Sequence, residues 1–473
     1  MAGQWVDIAA ADGGTFKGYL AVPASGSGPG IVLLQEIFGV NASMRAVADY
    51  YAEEGYVVLA PELFWRFEPG IELGYGEADF AKAFGYYQRF DVNLAIKDTA
   101  DALKVLRARP ECKGKVGALG FCLGGKLAYL TAARTDVDCA VSYYGVGIEA
   151  DIAEAKTIKG PIVFHFAELD KFAPAEAREA IKAGFAGRDD AEFYLYPGCD
   201  HAFAAPERAS FDKPATLMAH SRSIALFRKV LGPHYDLSSL WDRHTELEFA
   251  TRSAEATMGT MVAEPYVNHI PTMTGGVGYK DLLRFYANHF IPKTPADTKL
   301  VPISRTIGAD RVVDEMLFCF THDIEIDWML PGIPPTGKYV EIPLVAIVRF
   351  RGDKLYNEHI YWDQASVLVQ IGLLDPAKLP VAGIETAKKL VDESLPSNTL
   401  MKRWARARRT DHVFGRRRQE RRLIRSSSFA SGVASPCVTI RSLVVRCCSS
   451  PVRLRCRSPP ACRSIRRAPP RAP

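Results

Sequence analysis

The feature that most constrains this chain is the run Gly120-Phe121-Cys122-Leu123-Gly124, set between an apolar stretch, Val116–Gly120, and a helix-like stretch, Lys126–Arg134. Glycines on both sides of a nucleophile suit a turn so sharp that neighbouring Cβ atoms would collide. Such a turn holds Cys122 at the end of a strand and at the N-terminus of the next helix, whose dipole favours a thiolate. Gly125 extends the close strand–helix packing. Buried structural cysteines are common, so the pattern gains meaning only from what surrounds it.

What surrounds it, from Gly30 to Leu231, is an alternation of short apolar runs and helical patterns. Strands are predicted at Ile31–Gln35, Tyr56–Ala60, Val116–Gly120, Cys139–Tyr144, Pro161–Ala167 and Glu192–Tyr196. Helices are predicted at Met44–Glu54, Val92–Arg107, Lys126–Arg134, Pro174–Ala183 and Thr216–Val230. This rhythm signals βαβ units and a mainly parallel sheet. In an α/β-hydrolase the nucleophile, the acid and the histidine follow one another in that order, each after a strand. Asp170 follows the fifth predicted strand and His201 the sixth, which predicts a Cys122–His201–Asp170 triad in a domain spanning residues 1–232. His165 lies within a strand and reads as a core histidine. Asp200 adjoins His201 and cannot readily reach its far ring nitrogen.

The set Gln35-Glu36-Ile37-Phe38-Gly39, Gly120 to Gly125, the loop with Asp170, and His201-Ala202-Phe203 resembles the dienelactone hydrolase (carboxymethylenebutenolidase) family over about Met1 to Leu231. The resemblance implies hydrolysis of a small lactone or ester, with dienelactone opened to maleylacetate in aromatic degradation as the type reaction. It implies that Glu36 touches the nucleophile and holds the thiol until substrate arrives. A carboxylate beside a cysteine would otherwise only raise the thiol pKa. The backbone N–H groups of Leu123 and Ile37 would bind the oxyanion, and His201, oriented by Asp170, would activate water against a thioester. No cofactor and no metal are implied. The family places a carboxylate-binding arginine four residues beyond the histidine. Here that position is Ala205 and the nearest arginine is Arg208, while the insert Phe64–Arg89 offers Arg66, Lys82 and Arg89.

Leu231-Gly232-Pro233 is a stop signal, and a second unit follows over residues 239–376. A helical stretch near Trp241–Met261, a loop from Pro271 and a helix near Tyr279–Phe290 precede strand-like runs at Lys299–Ile307, Arg311–His322, Tyr339–Arg351 and Leu355–Trp362. Helices followed by consecutive strands, with tight turns such as Arg351-Gly352-Asp353, predict a smaller α+β domain with a curved antiparallel sheet. Trp241, Val267-Asn268-His269-Ile270-Pro271 and Asn357 to Gln364 resemble the SnoaL-like branch of the nuclear-transport-factor-2-like superfamily, which is cone-shaped. Strand alternation is expected to turn His359, Tyr361 and Asp363 inward, with His269, onto a small-molecule pocket. The resemblance leaves two readings: a binding or dimerisation module, or a polyketide-cyclase-like isomerase that makes the protein bifunctional. Tyr339–Arg351 is apolar on both faces, with Ile342, Leu344, Ala346 and Val348 on one and Val345 and Ile347 on the other. Such a strand needs cover on both sides, which predicts a homodimer through this domain.

Residues 377–401 read as a terminal helix and linker. Beyond them, 20 of the 59 basic residues and two of the 54 acidic ones fall in residues 402–473, so the tail carries +18 and the rest −13. Arg, Ser, Pro and Cys dominate the tail without periodicity. It is expected to be a disordered low-complexity segment or the product of a shifted reading frame. A nucleic-acid role would rest on that tail alone, and its cysteines lack paired zinc spacing. No apolar run is long enough for a bilayer, and MAGQWVDIAAADGG lacks the signature of a secretory signal, so a cytoplasmic location is expected.

Overall fold

Strands apolar on both faces must lie between layers of helix, and those around the glycine turn do. The computed structural model describes residues 3–404, and the tail expectation lies outside them. All the described elements up to Met401 belong to one unit. Its first sheet comprises β1 (Gln4–Ala9), β2 (Thr15–Ala21), β3 (Gly28–Leu34), β4 (Val57–Pro61), β5 (Cys112–Phe121), β6 (Cys139–Tyr143), β7 (Ile162–Ala167) and β8 (Ala191–Tyr196). Their order is β1-β2-β4-β3-β5-β6-β7-β8. The β1–β2 and β2–β4 pairings are antiparallel and the others parallel, giving the mixed sheet of an α/β-hydrolase-like fold. The β1–β2 hairpin was not among the expected strands. Because β3, β5, β7 and β8 run parallel, their C-terminal ends share one edge. Glu36, Cys122, Asp170 and His201 emerge there.

The second sheet comprises β9 (Met261–His269), β10 (Thr274–Val277), β11 (Lys299–Ile307), β12 (Arg311–Thr321), β13 (Tyr339–Arg351) and β14 (Lys354–Trp362), ordered β10-β9-β14-β13-β12-β11. It is antiparallel except where β14 pairs with β9. Two expectations change here. The helix expected over Trp241–Met261 is broken into a helix at Leu237–Thr245, a π-helical turn at Glu246–Thr251 and a short helix at Ala254–Met258. Arg252 adopts φ 56° between them, a left-handed residue that ends the run. The segment Val267–His269, not among the expected strands, is the end of β9, hydrogen-bonded to both β10 and β14.

Helix Glu385–Val391 returns over this sheet and sets Ala387 and Leu390 against Ile303, Leu317 and Cys319. The β13–β14 turn meets the first half directly. Gly352 donates its N–H to the buried Glu54 carboxylate at 3.1 Å, Arg351 pairs with Glu53 at 2.6 Å and Arg349 donates to Tyr50 Oη at 2.8 Å. Gly352 has φ 58°, and a Cβ there would lie 2.6 Å from the Glu53 carbonyl oxygen, so the position calls for glycine. No described helix is long and apolar enough to cross a membrane.

Candidate functional site

β5 ends at Phe121 and the helix Leu123–Arg134 begins two residues later, leaving Cys122 alone to make the turn. It does so at φ 56° and ψ −118°, a conformation that L-residues avoid and that persists only where the surroundings impose it. The imposing contacts are backbone to backbone. A Cβ on Gly120 would lie 1.9 Å from the Gly124 carbonyl oxygen, and one on Gly124 would lie 2.0 Å from that of Leu34. The Cys122 N–H donates to Tyr143 O at 3.0 Å, tying the turn to β6. As the first helical residue, Leu123 has an N–H without an intrahelical acceptor.

His201 lies in the loop after β8. Its Nδ1 is 2.8 Å from Asp170 Oδ2; the Asp170 side chain is buried and that of His201 is 11% exposed. Asp170 is fixed in turn by the backbone N–H groups of Phe172 at 2.8 Å and Ala173 at 3.3 Å. The rings of Tyr144 and Phe172 each stand edge-on to the imidazole with centroids 5.0 Å away. Burial pulls the His201 pKa down, but the charge of Cys122 and the bond to Asp170 more than offset it and raise it to about 10. An imidazolium facing a thiolate is the arrangement that activates a cysteine.

A cavity of about 90 Å³ opens on Cys122 and His201. Glu36, Ile37 and Arg208 line it, with Phe38, Phe80, Phe84 and Tyr87 as an aromatic wall. Glu36 is 3% exposed; burial raises its pKa, while His201 and Arg208 oppose the rise. Arg208 stacks over Phe38 and Tyr75 at 5.5 and 5.2 Å, which leaves its guanidinium edge for a ligand. The other three candidate cations are held elsewhere. Arg66 binds the buried Asp98 at 2.6 Å, Lys82 lies 3.8 Å from Glu68, and Arg89 donates to Gly85 O and stacks on Phe67. The aromatic wall was missed from sequence, although Phe80, Phe84 and Tyr87 are spaced as one helix face. Tyr144 left no such signal, since its φ of 38° follows from the strand end that places it. Behind Glu36, Tyr75 and Tyr144 lies a larger cavity of about 520 Å³, to which β13 contributes Arg349 and Arg351.

In the second half the structure corrects the expected pocket. His269 does face the interior and is 4% exposed. His359 and Tyr361 lie on the opposite face of β14, with Tyr361 40% exposed, and Asp363 caps the helix Gln364–Gln370. Alternation defines two faces but not which is inner. The bulk of Ile360 and Trp362 takes the inside and carries Glu358 with it. Glu358 meets His244 and Glu248 there, and the two carboxylates line a cavity of about 40 Å³ walled by Trp241, Phe290 and Phe318. Burial lowers the His244 pKa, but the two carboxylates prevail and raise it to about 10.

Comparison with known proteins bears on the first half. The dienelactone hydrolase family profile matches residues 16–231. A provisionally named carboxymethylenebutenolidase of Azospirillum brasilense is 39% identical over 239 residues, which is 48% of this chain and 99% of that one. The carboxymethylenebutenolidase of Pseudomonas putida is 36% identical over 225 residues, 47% of this chain and 95% of that protein. Among solved structures, a provisionally assigned dienelactone hydrolase from Klebsiella pneumoniae is 26% identical with a TM-score of 0.43, over 48% of this chain and 100% of that one.

Proposed function

The chain belongs to the dienelactone hydrolase family and is a hydrolase of ester or lactone bonds, and from that premise we propose that it opens a small enol lactone bearing a carboxylate, with Cys122 as nucleophile. The Cys122 sulfur attacks the lactone carbonyl carbon. The oxyanion that forms meets the N–H of Leu123 and that of Ile37. The ring C–O bond then breaks, its electron pair leaves on the enol oxygen, and the enolate takes up the proton that His201 carried, which leaves the imidazole neutral. Water next attacks the thioester while His201, held by Asp170, takes its proton, and the thiolate departs. Glu36, with its pKa raised by burial, can present a neutral carboxyl to the resting sulfur.

The observation that carries the substrate class is Arg208, which shares one cavity with Cys122 and His201. It lies three residues from the position where the family keeps its arginine, and it supplies the cation that a substrate carboxylate needs. Two variants test the reading. Cys122→Ala should lose about 10³-fold or more in kcat/KM on enol lactones and activated esters alike. Arg208→Ala should raise KM about 10-fold for a carboxylated lactone and leave an uncharged ester nearly untouched. Equal losses on both substrates would sink the carboxylate role, and full activity without the thiol would sink the nucleophile.

For residues 239–376 the proposal is a SnoaL-like module that binds or dimerises, joined to a hydrolase domain of residues 1–232. Its support is a helical segment leading into a sheet that closes over an aromatic interior. Space for about two or three waters in that interior argues against an organic substrate there. Pairing of two chains through residues 240–375 belongs to the same proposal.

A further inference from the structure

Among the described residues, one group of metal-ligating side chains stands apart from the hydrolase site: His244, Glu248 and Glu358. They are 0%, 5% and 3% exposed. His244 Nε2 lies 3.2 Å from Glu248 Oε1 and 3.0 Å from Glu358 Oε1. Ligand atoms bonded at about 2.0–2.2 Å to one ion stand about 2.8–3.6 Å apart, from octahedral to tetrahedral array, so these two sides fit, and all three ligand atoms lie within 4.8 Å of one another. His244 and Glu248 are one helical turn apart, and Glu358 comes from β14 across the interior.

The hydrogen bonds around the group point its lone pairs inward. The Thr260 hydroxyl donates to Thr257 O at 2.7 Å, so its oxygen accepts from His244 Nδ1 at 2.6 Å. The Nδ1 proton is thereby fixed and Nε2 is left facing the carboxylates, the second-layer arrangement that orients a metal-binding imidazole. Tyr286 Oη donates to Glu358 Oε1 at 3.3 Å. Neither Oε2 has a donor among the described residues, and both carboxylates line the 40 Å³ cavity. No described lysine or arginine pairs with either. Two carboxyl groups beside one imidazole, walled by tryptophan and phenylalanine, form a donor set that a cation would bridge in a low-dielectric interior. The cavity has room for an ion with a water or two. Glu248 lies in the π-helical turn Glu246–Thr251 and Tyr286 begins another, Tyr286–Phe290, a rare geometry that recurs at functional sites.

We propose that His244, Glu248 and Glu358 bind one divalent first-row metal ion, with Tyr286 and Thr260 as positioning residues. One nitrogen and several carboxylate oxygens suit the Mn²⁺-to-Zn²⁺ series.

The test uses the full chain and Mn²⁺, which thiolates bind poorly, so that Cys122 and the tail cysteines stay out of the measurement. Protein refolded with Mn²⁺ and then desalted should retain about one equivalent by elemental analysis, and its melting temperature should rise with Mn²⁺ concentration. The Glu248→Gln/Glu358→Gln variant should retain none while hydrolysing an activated ester normally. Wild type that retains no more Mn²⁺ than this variant overturns the proposal, as does a variant that retains as much as wild type. Should the variant not fold, a wild-type melting temperature indifferent to Mn²⁺ overturns it alone.

Discussion

His201 owes its proton to two residues from different strands. Burial alone would leave the imidazole neutral; the Cys122 charge is the largest opposing influence, followed by the bond to Asp170, and together they raise its pKa to about 10. Cys122→Ala should therefore shift the His201 titration well below about 10, as read by NMR of the imidazole. A titration unchanged in the variant would assign the whole effect to Asp170. The sign for stability follows. A histidine whose folded pKa is raised contributes fully below its unfolded value near 6.5, and the contribution fades as pH climbs through about 10. Cys122→Ala should move that alkaline loss to lower pH. The triad residues were legible because type, chain order and strand ends all had to agree. Arg208 was legible only as one of four candidates, since the space between Phe38 and Tyr75 that holds it is tertiary. The inward position of Glu358 was not legible, because period two gives two faces and says nothing of which the core will claim.

At the scale of elements, the join between the two sheets is polar and buried. Glu54, 1% exposed, ends the first helix and pairs with Arg228 at 2.9 Å and His220 at 3.3 Å while accepting from Gly352 of the β13–β14 turn at 3.1 Å. Asp310 binds Ser221, Arg311 and Arg349 nearby. Removing one member of a buried pair leaves the other charge uncompensated, so Glu54→Gln should cost about 3 kcal/mol or more at pH 7. Burial would raise the Glu54 pKa, but His220, Arg228 and Gly352 outweigh it and hold it low. Its contribution is thus present above the ordinary carboxylate range and lost as pH falls through the depressed value. Denaturant unfolding of wild type and Glu54→Gln at pH 7 and pH 3 checks both claims; a gap that does not narrow in acid refutes the assignment. Of these elements, the turn Arg351-Gly352-Asp353 was readable from its residues, but its docking was not. The break in the Trp241–Met261 helix escaped for a different reason. Its periodicity continues past Arg252, where only the left-handed φ of 56° stops it.

For the whole molecule, the question is what covers the outer face of the second sheet. At one end Arg349 and Arg351 of β13 lie against the first half and help wall the cavity behind Glu36. At the other, Ala387 and Leu390 cover Leu317 and Cys319. The chain thus supplies much of the cover that the two-sided apolar pattern of β13 calls for. A strip remains between: Val345 pairs with Tyr361 of β14 and with Glu315 of β12, and Ile347 with His359 and Val313. Tyr361 is 40% exposed, with Val301, opposite Leu317, at 41% on the adjoining strand β11. A homodimer through this strip would bury less than the roughly 800 Å² per partner of a standard interface, so it should be concentration-dependent. Sedimentation of the full chain should show a monomer–dimer equilibrium. Ile347→Glu should shift it to monomer without loss of hydrolysis, since a charge buried across a two-fold contact would meet its own copy. A clean monomer at roughly 100 μM, well above a micromolar dissociation constant, would refute pairing. A dimer that survives Ile347→Glu together with Val345→Lys would move the interface to the hydrolase half.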